Sequence, residues 1–98
     1  MQLSEILVDV EVDRVVGPLN LEIKSIVDDS RRVTPGALFA AIPGSSVDGH
    51  DHAGEAVRRG AVALLVEHEV AASATQIQVG SVRRSVGPVA SVFEGRPS

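Results

Sequence analysis

The chain has no cysteine, no tryptophan and no tyrosine, and only two phenylalanines among its 98 residues. Without cysteine there is no disulfide framework, no thiolate nucleophile and no zinc–thiolate cluster. A cysteine-free chain also favours a reducing compartment. Aromatic residues at 2% argue against recognition by stacking nucleobases on rings. Lysine is equally scarce: Lys24 stands alone beside eight arginines. No G-x-x-x-x-G-K-[ST] occurs, so a P-loop for nucleotide phosphates is missing. No apolar run approaches the roughly 20 residues of a membrane helix. The start, MQLSEILVDVEVD, has neither the basic opening nor the continuous apolar stretch of a signal peptide. The cytoplasm is therefore the expected location, with no membrane partner. A net charge of −4 argues against a nucleic-acid partner, which calls for a basic face. Six arginines do sit in pairs, at 31–32, 58–59 and 83–84. Solvated helix ends and turns account for such pairs, and a nucleic-acid role built on them would show steeply salt-dependent binding.

What is present reads as one small α/β domain, the size expected of a single core. Leu3, Ile6 and Leu7 fall at helical spacing and predict a short N-terminal helix. Val8, Val10 and Val12 alternate with acids, so Val8 to Val16 reads as extended. Gly17-Pro18 is a turn. Leu21, Ile23 and Ile26-Val27 suggest a strand running into Asp28-Asp29-Ser30, and Thr34-Pro35-Gly36 turns again. The run Leu38 to Ile42 has the continuous apolar character of a buried strand. A polar, glycine-bounded loop, Pro43 to Gly49, follows. Ala53, Ala56 and Val57 then repeat at helical spacing, with Asp51 the expected cap and Gly60 the expected terminator. Ala61 to Val66 is a second buried strand and Gln76 to Val79 a third. Ser81 can cap a last helix carrying Val82, Val86, Ala90 and Phe93. Gly87-Pro88 predicts a kink or restart inside it, because the pair costs about 4 kcal/mol relative to alanines.

The order strand, loop, helix, strand is a βαβ unit, which calls for a parallel pair and a right-handed crossover. Ligands of such sheets bind at the carboxyl ends of the strands. Those ends carry Asp28-Asp29-Ser30 and the loop from Pro43 to Gly49. The segment GSSVDGHDH, residues 44–52, is the densest polar cluster. Its glycines and serines can hold a phosphate or a ring edge through N–H and hydroxyl groups, although short polar βα connections of no function are common. Asp48, His50, Asp51 and His52 match no usual zinc spacing, and with His68 far along the chain no metal is expected. Ser30 beside Asp28 and Asp29 has no G-x-S-x-G elbow, so a hydrolase triad is not expected and no catalytic residue is assigned.

The stretch DSRRVTPGALFAAIPGSSVDG, residues 29–49, resembles the signature of the N-terminal domain of the Mur ligases, D-S-R-x-V-x-P-G-x-L-F-x-A-x-x-G-x-x-x-D-G. Its continuation, HDHAGEAVRRGAVALLVE, is similar to the family's helix and following strand. The ending FEGRPS resembles the F-Y-x-x-P-S that, in the MurE branch, leads into a central ATP-binding domain. Departures are Ala37 in place of Asp, His52 in place of an aromatic, Glu94 in place of Tyr, the small Ala53-Gly54 pair, and Gly87-Pro88.

The resemblance implies a mostly parallel sheet of four or five strands with two or three helices. It implies that residues 1–98 form one domain holding the UDP end of a UDP-N-acetylmuramoyl-peptide in peptidoglycan synthesis. The family's UDP contacts fall on Asp28, Ser30, Ser45, Ser46 and Val47. A full-length parent would activate the substrate carboxylate as an acyl phosphate with ATP and magnesium, then join a diamino acid to it. Neither cofactor is expected in this chain, whose central ATP-binding and C-terminal ligase domains would be absent. The other implied partner is a central ATP-binding domain, and the domain itself is expected to be a monomer. The departures leave a second reading, a protein-interaction or regulatory module that kept the fold and lost the ligand.

Overall fold

The computed structural model describes residues 1–44 and 48–95. Along the chain lie α1 (Leu3–Ile6), β1 (Val12–Val16), β2 (Ser25–Val27), β3 (Ala37–Ala40), α2 (Ala53–Arg58), β4 (Ala63–Val66), β5 (Thr75–Val79) and α3 (Val82–Phe93). Two 3₁₀ turns, Ser30–Arg32 and Gly49–His52, precede β3 and α2. The strands form one sheet in the order β1-β5-β4-β3-β2. β2 to β5 pair in parallel, and β1 closes one edge antiparallel to β5. The mostly parallel α/β sheet and the β3–α2–β4 unit are those the sequence calls for. Among the described residues no helix is long and apolar enough to cross a membrane.

β3 and β4 sit in the middle of the sheet, and every residue in both is buried. That is why they read as unbroken apolar runs: helices or loops cover both faces. Side chains still alternate. Leu38, Leu65, Ile77 and Val79 point to one side, where they meet Leu3 and Ile6 of α1 and Val82 and Val89 of α3. Ala37, Phe39, Leu64 and Val66 point to the other, against Ala53 and Ala56 of α2. On that second side β5 presents glutamines. Gln76, buried to 4%, donates to the Val70 carbonyl at 2.7 Å and accepts from its N–H at 2.9 Å. This pins the loop between β4 and β5 over the sheet, where a helix would otherwise lie.

The end of α2 follows from Gly60. Its φ of +113° lies in the left-handed region, and a Cβ there would stand 2.6 Å from Pro35 Cα. The N–H groups of Gly60 and Ala61 bond back to the Val57 and Ala56 carbonyls, each at 3.0 Å. This double closure satisfies carbonyls that the helix end leaves free.

Three boundaries differ from the sequence reading. β1 starts at Val12, not Val8. Leu7 caps α1, the chain turns back through Val10 N–H to the Leu7 carbonyl (3.1 Å), and Val8 is left 68% exposed. Helix α2 has His52 at its N-cap and no side-chain cap, so Asp51 does not cap it; the 3₁₀ turn before it is capped by Asp48, whose carboxylate reaches the His50 N–H at 3.0 Å. Helix α3 runs unbroken through Gly87-Pro88. Proline removes one N–H, which deprives the carbonyl of Arg84, an exposed residue. Val82 and Val89, both fully buried, hold the two halves on one core. Tertiary packing overrides local propensity there.

Candidate functional site

The carboxyl ends of four parallel strands gather at one edge of the sheet, as the fold-level argument requires. They bring together Asp28–Ser30 after β2, Ile42–Gly44 and Asp48–His52 after β3, Glu67-His68 after β4 and Ser81 after β5. Between the first two of these segments opens a cleft of about 770 Å³. One wall is Asp28 to Arg31, the base is Phe39 and Ile42, and the other wall is Gly49, His52, Glu55 and Arg59.

The first wall is built by Asp29. Its carboxylate accepts from Arg31 N–H at 2.9 Å and from the Arg31 guanidinium at 3.2 and 3.0 Å. The Arg31 side-chain bonds, followed by its backbone bond, hold the Asp29 carboxyl below the usual aspartate range, and Asp29 in turn raises Arg31. Both stay charged and answer each other. Their effect is a tight 3₁₀ turn whose first residue, Ser30, is 6% exposed and still lines the cleft. Among the described residues no group bonds to its hydroxyl. Glu55 and Arg59 pair across one helical turn at 3.1 Å. The acids Asp28, Asp29 and Glu55 outnumber the lining arginines, so the cleft is not a cationic pocket.

The loop after β3 is closed at its neck. Gly49 N–H bonds to the Ile42 carbonyl at 3.0 Å. A Cβ on Gly49 would stand 2.7 Å from Ile42 N, so glycine is required by the close approach. Arg83, from α3, donates to the Pro43 carbonyl at 2.5 Å. Of the expected contact residues, Asp28 and Ser30 come together on the cleft wall, and Ser45, Ser46 and Val47 lie outside the described residues.

The histidines separate. His52 lines the cleft, whereas His50 is buried, 6% exposed, beneath the second wall. His50 Nδ1 lies 2.7 Å from Asp48 Oδ1, and His50 Nε2 accepts from Glu67 N–H at 2.9 Å. Because Nε2 accepts, Nδ1 carries the proton and donates to Asp48; this tautomer is assigned from its partners. The His50 backbone N–H bond, followed by its ring bond, keeps Asp48 below the usual aspartate range. The Glu67 carboxylate accepts from Val82 N–H at 2.9 Å, at the start of α3.

His68 is not remote, as its place in the sequence suggests. Its ring stacks on His50 with centroids 4.1 Å apart. Asp48, His50 and His68 thus hold ligand-type atoms within 4.8 Å of one another. The backbone donor decides against reading them as a metal centre. A metal on His50 Nδ1 would move the ring proton to Nε2, where it would face Glu67 N–H. Nor can His50 activate Ser30, since both its ring nitrogens are engaged elsewhere. Lys24, the single lysine of the sequence, lines a groove on the α3 side of the sheet and not the cleft.

The Asp48–His50–Glu67 network and the separate Gln76–Val70 pair were not singled out by sequence reasoning. The polar cluster of residues 44–52 was the one signal, and it does not tell which of its histidines is buried.

The sheet, the cleft at its carboxyl edge and the Asp29-capped turn define a domain type. A profile described as Mur ligase family, catalytic domain, matches residues 22–93, and the chain belongs to the Mur ligase family. Over its whole length it is 40% identical to a UDP-N-acetylmuramoyl-L-alanyl-D-glutamate–2,6-diaminopimelate ligase of Syntrophomonas wolfei, covering 20% of that protein. It is 42% identical over 103 residues to the ligase of the same name from Solibacter usitatus, covering 99% of this chain and 20% of the relative. The chain therefore spans about a fifth of the length of these curated relatives. Among solved structures it is similar to the MurF ligase of Thermotoga maritima in complex with ADP, with a TM-score of 0.68, 32% identity, and coverage of 81% of this chain and 18% of that one. MurF from Acinetobacter baumannii gives a TM-score of 0.68 at 28% identity, covering 76% and 16%. The fold is that of the Mur ligase N-terminal domain.

Proposed function

We propose that this chain holds the UDP part of a UDP-N-acetylmuramoyl-peptide, as the N-terminal substrate-binding domain of an amino-acid ligase of peptidoglycan synthesis. One observation carries the reading. The cleft at the carboxyl ends of β2 and β3 is lined by Ser30, whose hydroxyl has no partner among the described residues, inside the stretch that bears the family signature.

The chemistry follows from the wall. Ser30 Oγ can donate to a diphosphate oxygen or a uracil carbonyl and can also accept. The Asp29–Arg31 turn keeps that hydroxyl from rotating away with its backbone. A bare carboxylate beside a diphosphate repels it, so Asp28 faces the base or acts through its main chain. Arg31 and Arg59 are already paired, so the diphosphate depends on N–H donors, to which Ser45, Ser46 and Val47 contribute in this reading. Phe39 and Ile42 supply an apolar base for the sugar and ring. ATP-driven activation of the substrate carboxylate, with magnesium, belongs to the part of such a ligase that this chain does not contain. The choice of amino acid belongs there too.

Binding is expected to be weak, since only a fragment of the substrate's contacts is available. An amide NMR titration of the 98-residue chain with UDP-N-acetylmuramoyl-dipeptide, and with UDP alone, tests the proposal. Saturable shifts at Ser30, Gly49 and His52, with those of Ser45–Val47, are the expected result. A well-dispersed spectrum unmoved by millimolar ligand would end it and leave the interaction-module reading.

A further inference from the structure

Three groups stand outside the cleft contacts. The groove between β2 and α3, lined by Ile26, Val86 and Phe93 together with Lys24, Arg32 and Glu94, has nothing to name its occupant. The acidic patch of Asp9, Glu11 and Asp13 opposite Ser81 and Arg84 is a charge cluster without further support. The third group is the buried His50, and its geometry goes further.

His50 is bonded on every side. Its backbone N–H and ring Nδ1–H both meet Asp48 Oδ1, at 3.0 and 2.7 Å, and its Nε2 takes Glu67 N–H at 2.9 Å. It sits one residue after Gly49 and two before His52, and both of these line the cleft. Glu67 is the first residue past β4, the most deeply buried part of the sheet, and its carboxylate is fixed at the start of α3 by Val82 N–H. The chain of bonds Asp48–His50–Glu67–Val82 therefore ties the second wall of the cleft to the end of β4 and the start of α3. Among the described residues no other hydrogen bond joins the 3₁₀ turn to the β4–α3 side. Its other bond to a neighbouring element, Gly49 N–H to the Ile42 carbonyl, closes the loop on its own strand, and the turn runs on into α2, whose Ala53 and Ala56 pack on the sheet. Asp48 without the ring would cap the turn but would not locate it.

We propose that His50 is a positioning residue for the ligand cleft: by accepting from Glu67 N–H while donating to Asp48, it sets the distance between the Gly49–His52 wall and Ser30. The inference rests on the UDP-binding reading. A group buried with both ring nitrogens committed takes no part in proton transfer or direct ligand contact. Its contribution is to keep a binding geometry assembled before the ligand arrives, which lowers the ordering cost of binding.

The test compares variants of the whole chain by UDP affinity and by thermal unfolding. His50→Ala is expected to weaken UDP binding about tenfold at a temperature where the variant is fully folded. His50→Gln, whose amide oxygen can reach the Glu67 N–H, is expected to recover most of that loss, whereas His50→Asn, which is too short to reach it, is not. Val89→Ala, in the core on the other face, supplies a comparable loss of stability and is expected to leave UDP affinity unchanged. UDP affinity within twofold of the parent in both His50→Ala and His50→Asn would overturn the proposal, as would an equal loss in Val89→Ala. If His50→Ala does not fold, the Gln and Asn variants decide alone. If the parent chain itself fails to bind UDP, the functional reading has failed. The positioning role is then judged by hydrogen exchange: loss of protection confined to Gly49–Ala53 in His50→Asn supports it, and unchanged protection there overturns it.

Discussion

The two faces of the sheet are built from different stock. The side covered by α1 and α3 is filled with Leu3, Ile6, Leu38, Leu65 and Ile77, and it has the longest helix lying across it. The side covered by α2 is filled largely with alanine, from Ala37, Ala41, Ala53, Ala56 and Ala61, around Phe39 and Leu64. Its helix is only six residues long. Alanines let a short helix sit close to the strands. The cleft lies on the alanine side, with stability concentrated on the other. Binding sites are often grafted on a rigid scaffold in this way.

Substitutions can break that division of labour. The largest expected effect is Leu65→Ala, a fully buried change on the α1/α3 side. It should cost about 2–5 kcal/mol in denaturant unfolding and leave UDP affinity unchanged in the folded fraction. If affinity falls in step, the faces are not independent. Gln76→Ala comes next, at about 1–3 kcal/mol, because it leaves the Val70 N–H without its partner and the Val70 carbonyl with only the Ala72 N–H. Its mark should be faster hydrogen exchange in residues 67–74, with β3 and β4 still protected. A uniform rise would mean that the loop is no separate unit.

Smaller in energy, and sharper for function, is Ser30→Ala. The loss of one hydroxyl contact predicts a fall in UDP affinity of up to about tenfold. The melting temperature should hardly move, since no protein group among those described depends on that hydroxyl. An unchanged Kd would place the ligand elsewhere. The smallest effect is acidic. Asp29 and Asp48 have folded pKa values below the usual aspartate range, set chiefly by hydrogen bonds from Arg31 and His50. A lowered folded pKa means a stabilising contribution that is present above the unfolded value and is lost as pH falls through the folded one. Both cleft walls should therefore loosen below about pH 4, and Asp48→Asn should flatten that part of the stability–pH curve. A curve of the same slope in the variant would show that Asp48 does not contribute.

Much of this was legible in one dimension. Ala63 to Val66 and Leu38 to Ala40 read as buried strands because a strand covered on both faces has no polar residue to interrupt it. Gly60 read as a helix end because its left-handed backbone suits glycine alone. Asp28 and Ser30, which line the cleft, could be placed at the carboxyl edge from their position after a strand. β2 was blurred, since a three-residue edge strand is specified mainly by its pairing with β3. Helix α3 read as broken at Pro88, because a local rule cannot see Val82 and Val89 held on one core. The cap went to Asp51 instead of Asp48, a choice that depends on where the turn starts.

Local sequence alone determined the class of fold, the βαβ order and the segments at the carboxyl edge, because those depend on periodicity and on glycine, both of which act within a few residues. It also ruled out a P-loop, which is a contiguous motif. Only the tertiary structure decided which histidine is buried and which lines the cleft, and that His68 lies on His50. Those facts depend on strands β3 and β4 lying side by side, which brings residues 17 positions apart into hydrogen-bonding distance. No short-range pattern records such a contact, since its energy is realised only when the sheet has formed.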